Sequence, residues 1–132
     1  MQLDYGFGDT SFHAAGGEAG IWKLVDEFYD YMETLPLARK ILLMHPEDLQ
    51  ISRDKLFRFL CGWLGGPRLF QQKYGPISIP GVHAHLTIGI KERDAWLICM
   101  KKSIEQQDYE SDFKEYLFNQ LCFPAERVRN AE

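Results

Sequence analysis

From Ile21 onward the apolar residues recur at Ile21, Leu24, Val25, Phe28, Tyr29 and Met32. Three-and-four spacing of this kind places side chains on one face of a helix. Asp26, Glu27 and Asp30 fall off that face, and Pro36 is expected to close the helix. Leu37 to Met44 reads as a second short helix, ended by His45-Pro46. In the next helix Leu56, Phe59, Leu60 and Trp63 form the stripe and Phe57 widens it. Ser52 is its expected N-cap, and Asp54 falls in its first turn. Gly65-Gly66-Pro67 stops it, because glycine takes the left-handed cap and proline forbids continuation. Phe70 and Tyr74 belong to a short helical turn. Glu92 and Asp94 mark the start of a helix whose face carries Ala95, Trp96, Cys99, Met100 and Ser103. The last helix carries Phe113, Tyr116, Leu117, Gln120 and Leu121 and is expected to break at Pro124. Residues 1–11 are polar and Gly-rich and are expected to form an irregular extension, before Gly16-Gly17 punctuates the chain. No repeat, low-complexity tract or strand pair stands out. The pattern predicts an all-α chain of about five helices, one domain spanning residues 1–132.

Between residues 75 and 90 the helical pattern fails. Gly75, Pro76, Pro80 and Gly81 block a long helix, and His83 and His85 sit in the middle. A structureless connection of that length in a compact domain needs a reason, and wrapping one side of a large cofactor is such a reason. His83 is either a packed or surface histidine or a ligand held against a cofactor. The His83-x-His85 spacing could also put two imidazoles on a mononuclear metal, although no further ligands recur nearby.

Composition narrows the choices. The chain is 45% hydrophobic and 14% aromatic, ample for a core. A net charge of -4 and a pI near 5.6 argue against nucleic acid as the main partner. No basic and apolar leader pattern is seen at Met1, and no apolar run approaches the roughly eighteen residues of a membrane span. Cys61, Cys99 and Cys122 are an odd, widely spaced set, which fits free thiols in a reducing cytoplasm. Cys61 and Cys99 lie on apolar faces, where inert thiols are the rule. HExxH, P-loop, GxGxxG and GxSxG motifs are absent, and no carboxylate pair stands out. Tyr29 and Trp96 share inward faces with apolar neighbours. Their polar tips need partners, either backbone carbonyls or a bound ligand. Residue types and spacing alone lead to a helical domain with a candidate haem or metal site.

Several spaced segments carry a resemblance. They are Phe12-x-x-x-Gly16-Gly17-Glu18-Ala19, Leu24-Val25-x-x-Phe28-Tyr29, and Met44-His45-Pro46. Further along come Asp54-Lys55-Leu56-Phe57-x-Phe59-Leu60-x-x-Trp63-x-Gly65-Gly66-Pro67 and Ile88-Gly89-x-x-Glu92-Arg93-Asp94-Ala95-Trp96-Leu97. From Phe12 to about Arg129 the chain resembles the truncated (2-on-2) haemoglobins, specifically bacterial group II, or O-type. The resemblance implies a 2-on-2 helical sandwich around haem b, with O2, NO or CO as ligand at the iron.

Counting back from Ile88-Gly89, the family's proximal histidine falls on His83. His85 then takes the usual proline position and Leu86 the usual phenylalanine. Tyr29, His45 and Trp96 become the distal group that hydrogen-bonds the ligand. Ser52, Lys55, Leu56, Phe59, Leu60, Phe70, Tyr74, Ile79, His85 and Leu86 become the residues around the cofactor. The sequence departs from the family at three places. Pro80 and Val82 stand where arginines usually pair with a haem propionate, which leaves Lys55, Tyr74 or His85 to hold the propionates. His45 replaces a usual tyrosine or phenylalanine. Ser52 occupies the distal E-helix position. Three donors imply slow ligand release, which suits scavenging, storage, sensing or redox detoxification better than delivery. NO-oxidising or peroxidase-like turnover with an unidentified reductase is the enzymatic alternative, and a haem-free helical interaction domain is the non-enzymatic one.

Overall fold

The structure is a computed structural model that describes residues 5–76 and 86–131. Among these residues there are helices and turns and no strand. The helices are α1 (Thr10–Ala14), α2 (Gly17–Thr34), α3 (Arg39–Leu43), α4 (Gln50–Trp63), α5 (Leu69–Tyr74), α6 (Ile90–Gln106) and α7 (Ser111–Val128). A 3-10 turn at Pro36–Ala38 joins α2 to α3, so Pro36 does close the long helix. None of these helices is long and apolar enough to cross a membrane.

Three expectations fail locally. The expected irregular extension ends early, because α1 already begins at Thr10. Ser52 is not a cap, since α4 starts at Gln50 and Ser52 lies in its first turn. The side chain that helps this end is Asp48, whose carboxylate accepts the Gln50 N–H at 3.0 Å. Pro124 does not break α7, which runs on to Val128. Proline removes one ladder bond there, but Ala125 is buried and Glu126 is gripped by Arg93 and Arg129, so the last turn is held from outside.

Helix α2 lies at the centre. It packs on α6 on one side and on α4 on the other, while α6 also packs on α7 and α4 on α5. The six apolar positions predicted for α2, from Ile21 to Met32, are all buried. Facing them are Leu60 and Cys61 of α4, and Cys99, Met100 and Ile104 of α6. Polar groups in the seam are matched. Buried Ser103 donates to the Leu24 carbonyl at 2.6 Å, and Gln107 donates to the Ser103 carbonyl and to Glu27.

The polar edge of α2 is tied to α4 by one cation. Arg53 is only 8% exposed; its guanidinium reaches Asp26 and Asp30 at 3.0 Å and Glu33 at 3.4 Å. A second hub joins α4 to α5. Asp54 accepts from Arg58, from Lys73 at 2.8 Å and from the Tyr74 hydroxyl at 2.6 Å. Burial pushes the Asp54 carboxyl up, but these donors outweigh it and hold the group at about 2, below its ordinary 3.8.

After α4 the chain doubles back through Gly65, whose φ is +92°. A Cβ there would stand 1.8 Å from the Gly8 carbonyl oxygen. The N-terminal segment therefore lies directly on this turn, and Phe12 N–H donates to the Leu64 carbonyl at 3.0 Å.

Two outcomes are expected. Gly65→Ala meets both a left-handed backbone and a backbone clash, so it should cost at least about 2 kcal/mol in urea unfolding; an unaltered midpoint would contradict this packing. Asp54→Asn should cost about 1 kcal/mol at pH 7, the scale of a partly exposed ion-pair network. Because the folded-state pKa is depressed, this stability is present above about pH 4 and is lost as pH falls toward 2. The gap between variant and parent should close across that window, and a gap independent of pH would refute an ionic origin for it.

Candidate functional site

Tyr29 is 4% exposed, on the edge of the α2 stripe facing α3 and α4. Its hydroxyl donates to the Ser52 carbonyl at 3.3 Å, long for an O–H···O bond and therefore weak. Its ring meets His45 edge to face at 5.7 Å, and the Arg53 guanidinium lies 5.5 Å from its centroid. Burial raises the phenol well above its ordinary range, with Arg53 pulling partly back, so Tyr29 is a neutral hydrogen donor at any physiological pH. Phe28, next along the chain, meets Tyr29 at 5.0 Å and Trp96 of α6 at 5.2 Å. A run of rings thus joins His45, Tyr29, Phe28 and Trp96 along one wall. Among the described residues, the Trp96 indole N–H has no hydrogen-bond acceptor.

The His45 ring is oriented by α3, the helix just before it. Its Nδ1 lies 2.7 Å from the Ile41 carbonyl, which can only accept, so Nδ1 carries a proton. In the neutral ring Nε2 is then an acceptor, and only the protonated imidazole donates from both nitrogens. This makes Tyr29 and Trp96 the pH-independent donors of the group.

Beside this group one stripe of α4 is apolar and incompletely covered. Leu60 is buried, whereas Leu56, Phe59 and Ser52 are half-buried. On α5, Phe70 and Tyr74 stack at 5.0 Å. Lys55 is exposed, with its Nζ 5.4 Å from the Tyr74 centroid. The Tyr74 proton is already given to Asp54, so of these two residues only Lys55 offers a donor for a carboxylate. Leu86 is half-buried, and its carbonyl is held by Asn130. Ile79, His83 and His85 lie outside the described residues.

The three cysteines are free, and burial pushes the thiols of Cys61 and Cys99 up to about 11. Both are poor nucleophiles at neutral pH.

Several positions that shape this region escaped the hydrophobic pattern. Arg53 is one; its only signal is that Asp26, Asp30 and Glu33 fall three or four apart along one edge of α2. Glu92 is another; its carboxylate turns back to accept the Gly89 N–H at 2.9 Å, and Lys40 approaches it at 3.4 Å. Asn130 has no local signal at all.

This donor set fits haem. An apolar strip of α4 left half-covered suits a flat apolar macrocycle. A weakly engaged buried phenol and an indole N–H suit a ligand on its distal side, and the exposed ammonium of Lys55 suits a propionate at the rim.

Comparison with known proteins points the same way. The family described as "Bacterial-like globin" matches residues 10–130. The group 2 truncated haemoglobin YjbI of Bacillus subtilis is 34% identical over 123 residues, covering 91% of each chain. Among solved structures, the cold-adapted truncated haemoglobin of the Antarctic marine bacterium Pseudoalteromonas haloplanktis superposes with a TM-score of 0.89 at 34% identity. That match covers 92% of this chain and 98% of the other. A truncated oxygen-avid haemoglobin from Bacillus subtilis superposes with a TM-score of 0.82 at 32% identity, covering 91% and 98%. The α2–α4 and α6–α7 pairs are the two-over-two arrangement of these globins, for which haem and a diatomic ligand are implied. The chain belongs to the bacterial-like globins, as a group II truncated haemoglobin.

Proposed function

We propose that this globin carries haem b on His83 and retains O2, or another diatomic ligand, through donors on its α2–α6 wall. The observation that carries the reading is the contact run from His45 through Tyr29 and Phe28 to Trp96, with the Tyr29 hydroxyl at the first turn of α4. Haem, when bound, supplies the iron at which the diatomic ligand sits. His83, as a neutral imidazole, offers its lone pair as the proximal ligand. Tyr29 and Trp96 donate to the partly negative ligand, and a dry, low-dielectric wall strengthens each bond. Lys55 pairs with a propionate at the solvent edge. Firm retention suits scavenging, storage or redox detoxification in a reducing cytoplasm. The oxygen-avid relative supports this reading.

Three results are expected. His83→Ala should purify largely free of haem, or be rescued by added imidazole, while His85→Ala keeps its Soret band; the reverse pattern refutes the ligand assignment. Tyr29→Phe and Trp96→Phe should each speed O2 dissociation about tenfold or more, since a bond to a partly charged acceptor is worth about 1.5–3 kcal/mol. The two effects should be non-additive because the donors share one ligand; off-rates equal to the parent would remove these residues from the distal site. Lys55→Ala should raise haem transfer to an acceptor globin only modestly and only at low salt, as an exposed ion pair contributes about 0–1 kcal/mol. No change at low salt would leave the propionate to other residues.

A further inference from the structure

We propose that Asn130 is a positioning residue for the proximal side of the haem pocket. Its side-chain amide splints the backbone at residues 86–88 and so fixes the chain just beyond His83. This rests on the assignment of His83 as the iron ligand.

Asn130 follows the end of α7, more than forty positions from the segment it holds. Its Nδ2 donates to the Leu86 carbonyl at 2.7 Å, and its Oδ1 accepts the Ile88 N–H at 2.8 Å. The two bonds fix which end of the amide is which, because a carbonyl only accepts and an N–H only donates. Leu86 C=O and Ile88 N–H are the pair that a parallel strand centred on Thr87 would use. A primary amide supplies both halves in one plane. The Asn130 backbone N–H adds a third bond, to the Ile88 carbonyl at 2.8 Å, and Ala131 N–H approaches the same oxygen at 3.1 Å.

The tail is itself braced. Arg129 donates to Glu126 at 2.7 Å and to the Ala131 carbonyl at 3.2 Å, and Arg93 of α6 pairs with Glu126. Ile88 is 7% exposed, so its N–H and C=O need protein partners.

Downstream of Ile88, the start of α6 already has its own anchor, the Glu92 carboxylate on the Gly89 N–H. Asn130 therefore adds little to α6. Its grip falls upstream, at Leu86, three positions along the chain from His83. Slack at Leu86 would pass directly into the orientation of the imidazole.

The test uses the haem-loaded full chain. Asn130→Leu keeps the branched shape and removes both side-chain bonds; Asn130→Asp keeps only the acceptor for Ile88. In Asn130→Leu the Fe–His stretching band of the ferrous protein should shift or broaden, and haem transfer to an acceptor globin should quicken roughly tenfold, the scale of two neutral hydrogen bonds. Asn130→Asp sets an acceptor against the Leu86 carbonyl and should loosen the segment at least as much as Asn130→Leu. Amide exchange at Ile88 should accelerate in Asn130→Leu without haem as well. An unchanged Fe–His band and haem-loss rate in Asn130→Leu, with exchange at Ile88 also unchanged, overturns the splint. Retention of haem and of the Fe–His band in His83→Ala instead overturns the proximal assignment, and the exchange experiment then still decides whether Asn130 holds residues 86–88.

Discussion

Burial of α2 on two sides at once is the constraint that the other elements answer to. A single-sided amphipathic helix needs one partner, but α2 presents Ile21, Leu24, Val25, Phe28, Tyr29 and Met32 across a face too wide for one. It takes α6 against one flank and α4 against the other. Truncating a fully buried side chain such as Phe28 would cost about 3–5 kcal/mol, a large part of the stability of a domain this size. Arg53 clasps α4 to the polar edge of α2. Its guanidinium spans Asp26, Asp30 and Glu33 across two turns of α2, while its underside lies on the Tyr29 ring. Each exposed carboxylate contributes little alone, but one planar cation shared by three defines a single registry of the two helices.

That geometry generates the site. Phe28 and Tyr29 are successive residues, so one packs toward Trp96 of α6 and the other toward His45 and the first turn of α4. Holding α4 and α6 against the same helix therefore brings together side chains from three elements that are distant in sequence. The residues that would serve a ligand belong to the core seam or pack against it, and Leu56 and Phe59 of α4 stay half-buried at its edge. Around this centre the polar clasps act at the edges. Asp54 holds α5 to α4, Glu92 caps α6, and Asn130 ties the C-terminal tail to residues 86–88.

The helices were legible in the sequence wherever the apolar spacing was wide and regular, as in α2, α4 and α6, because burial itself writes that pattern. Where a local rule competed with a tertiary contact, the contact prevailed. Ser52 is a good cap by type, but α4 begins before it, at Gln50, whose N–H goes to Asp48. Pro124 is a breaker by type, but buried Ala125 and the Arg93–Glu126–Arg129 cluster carry α7 past it. Tyr29 and Trp96 could be nominated because a polar tip on an apolar stripe is visible one residue at a time. The grips of Arg53, Asp54 and Asn130 could not, because a charged or amide side chain reads as solvated until its partners from other helices are known. The tie between residues 86–88 and the tail joins positions 42 and 44 apart, and nothing in either segment alone reports it.

The claim on which the rest depends is that this helical frame encloses haem. Haem content of the purified full chain, with absorption spectra of the ferric, ferrous and CO-bound forms, tests it most directly. One haem per chain is expected, retained through gel filtration, with a Soret band that shifts on reduction and again on CO. A colourless protein that takes up no added haemin in stoichiometric amount, while keeping its helical circular dichroism, would contradict it.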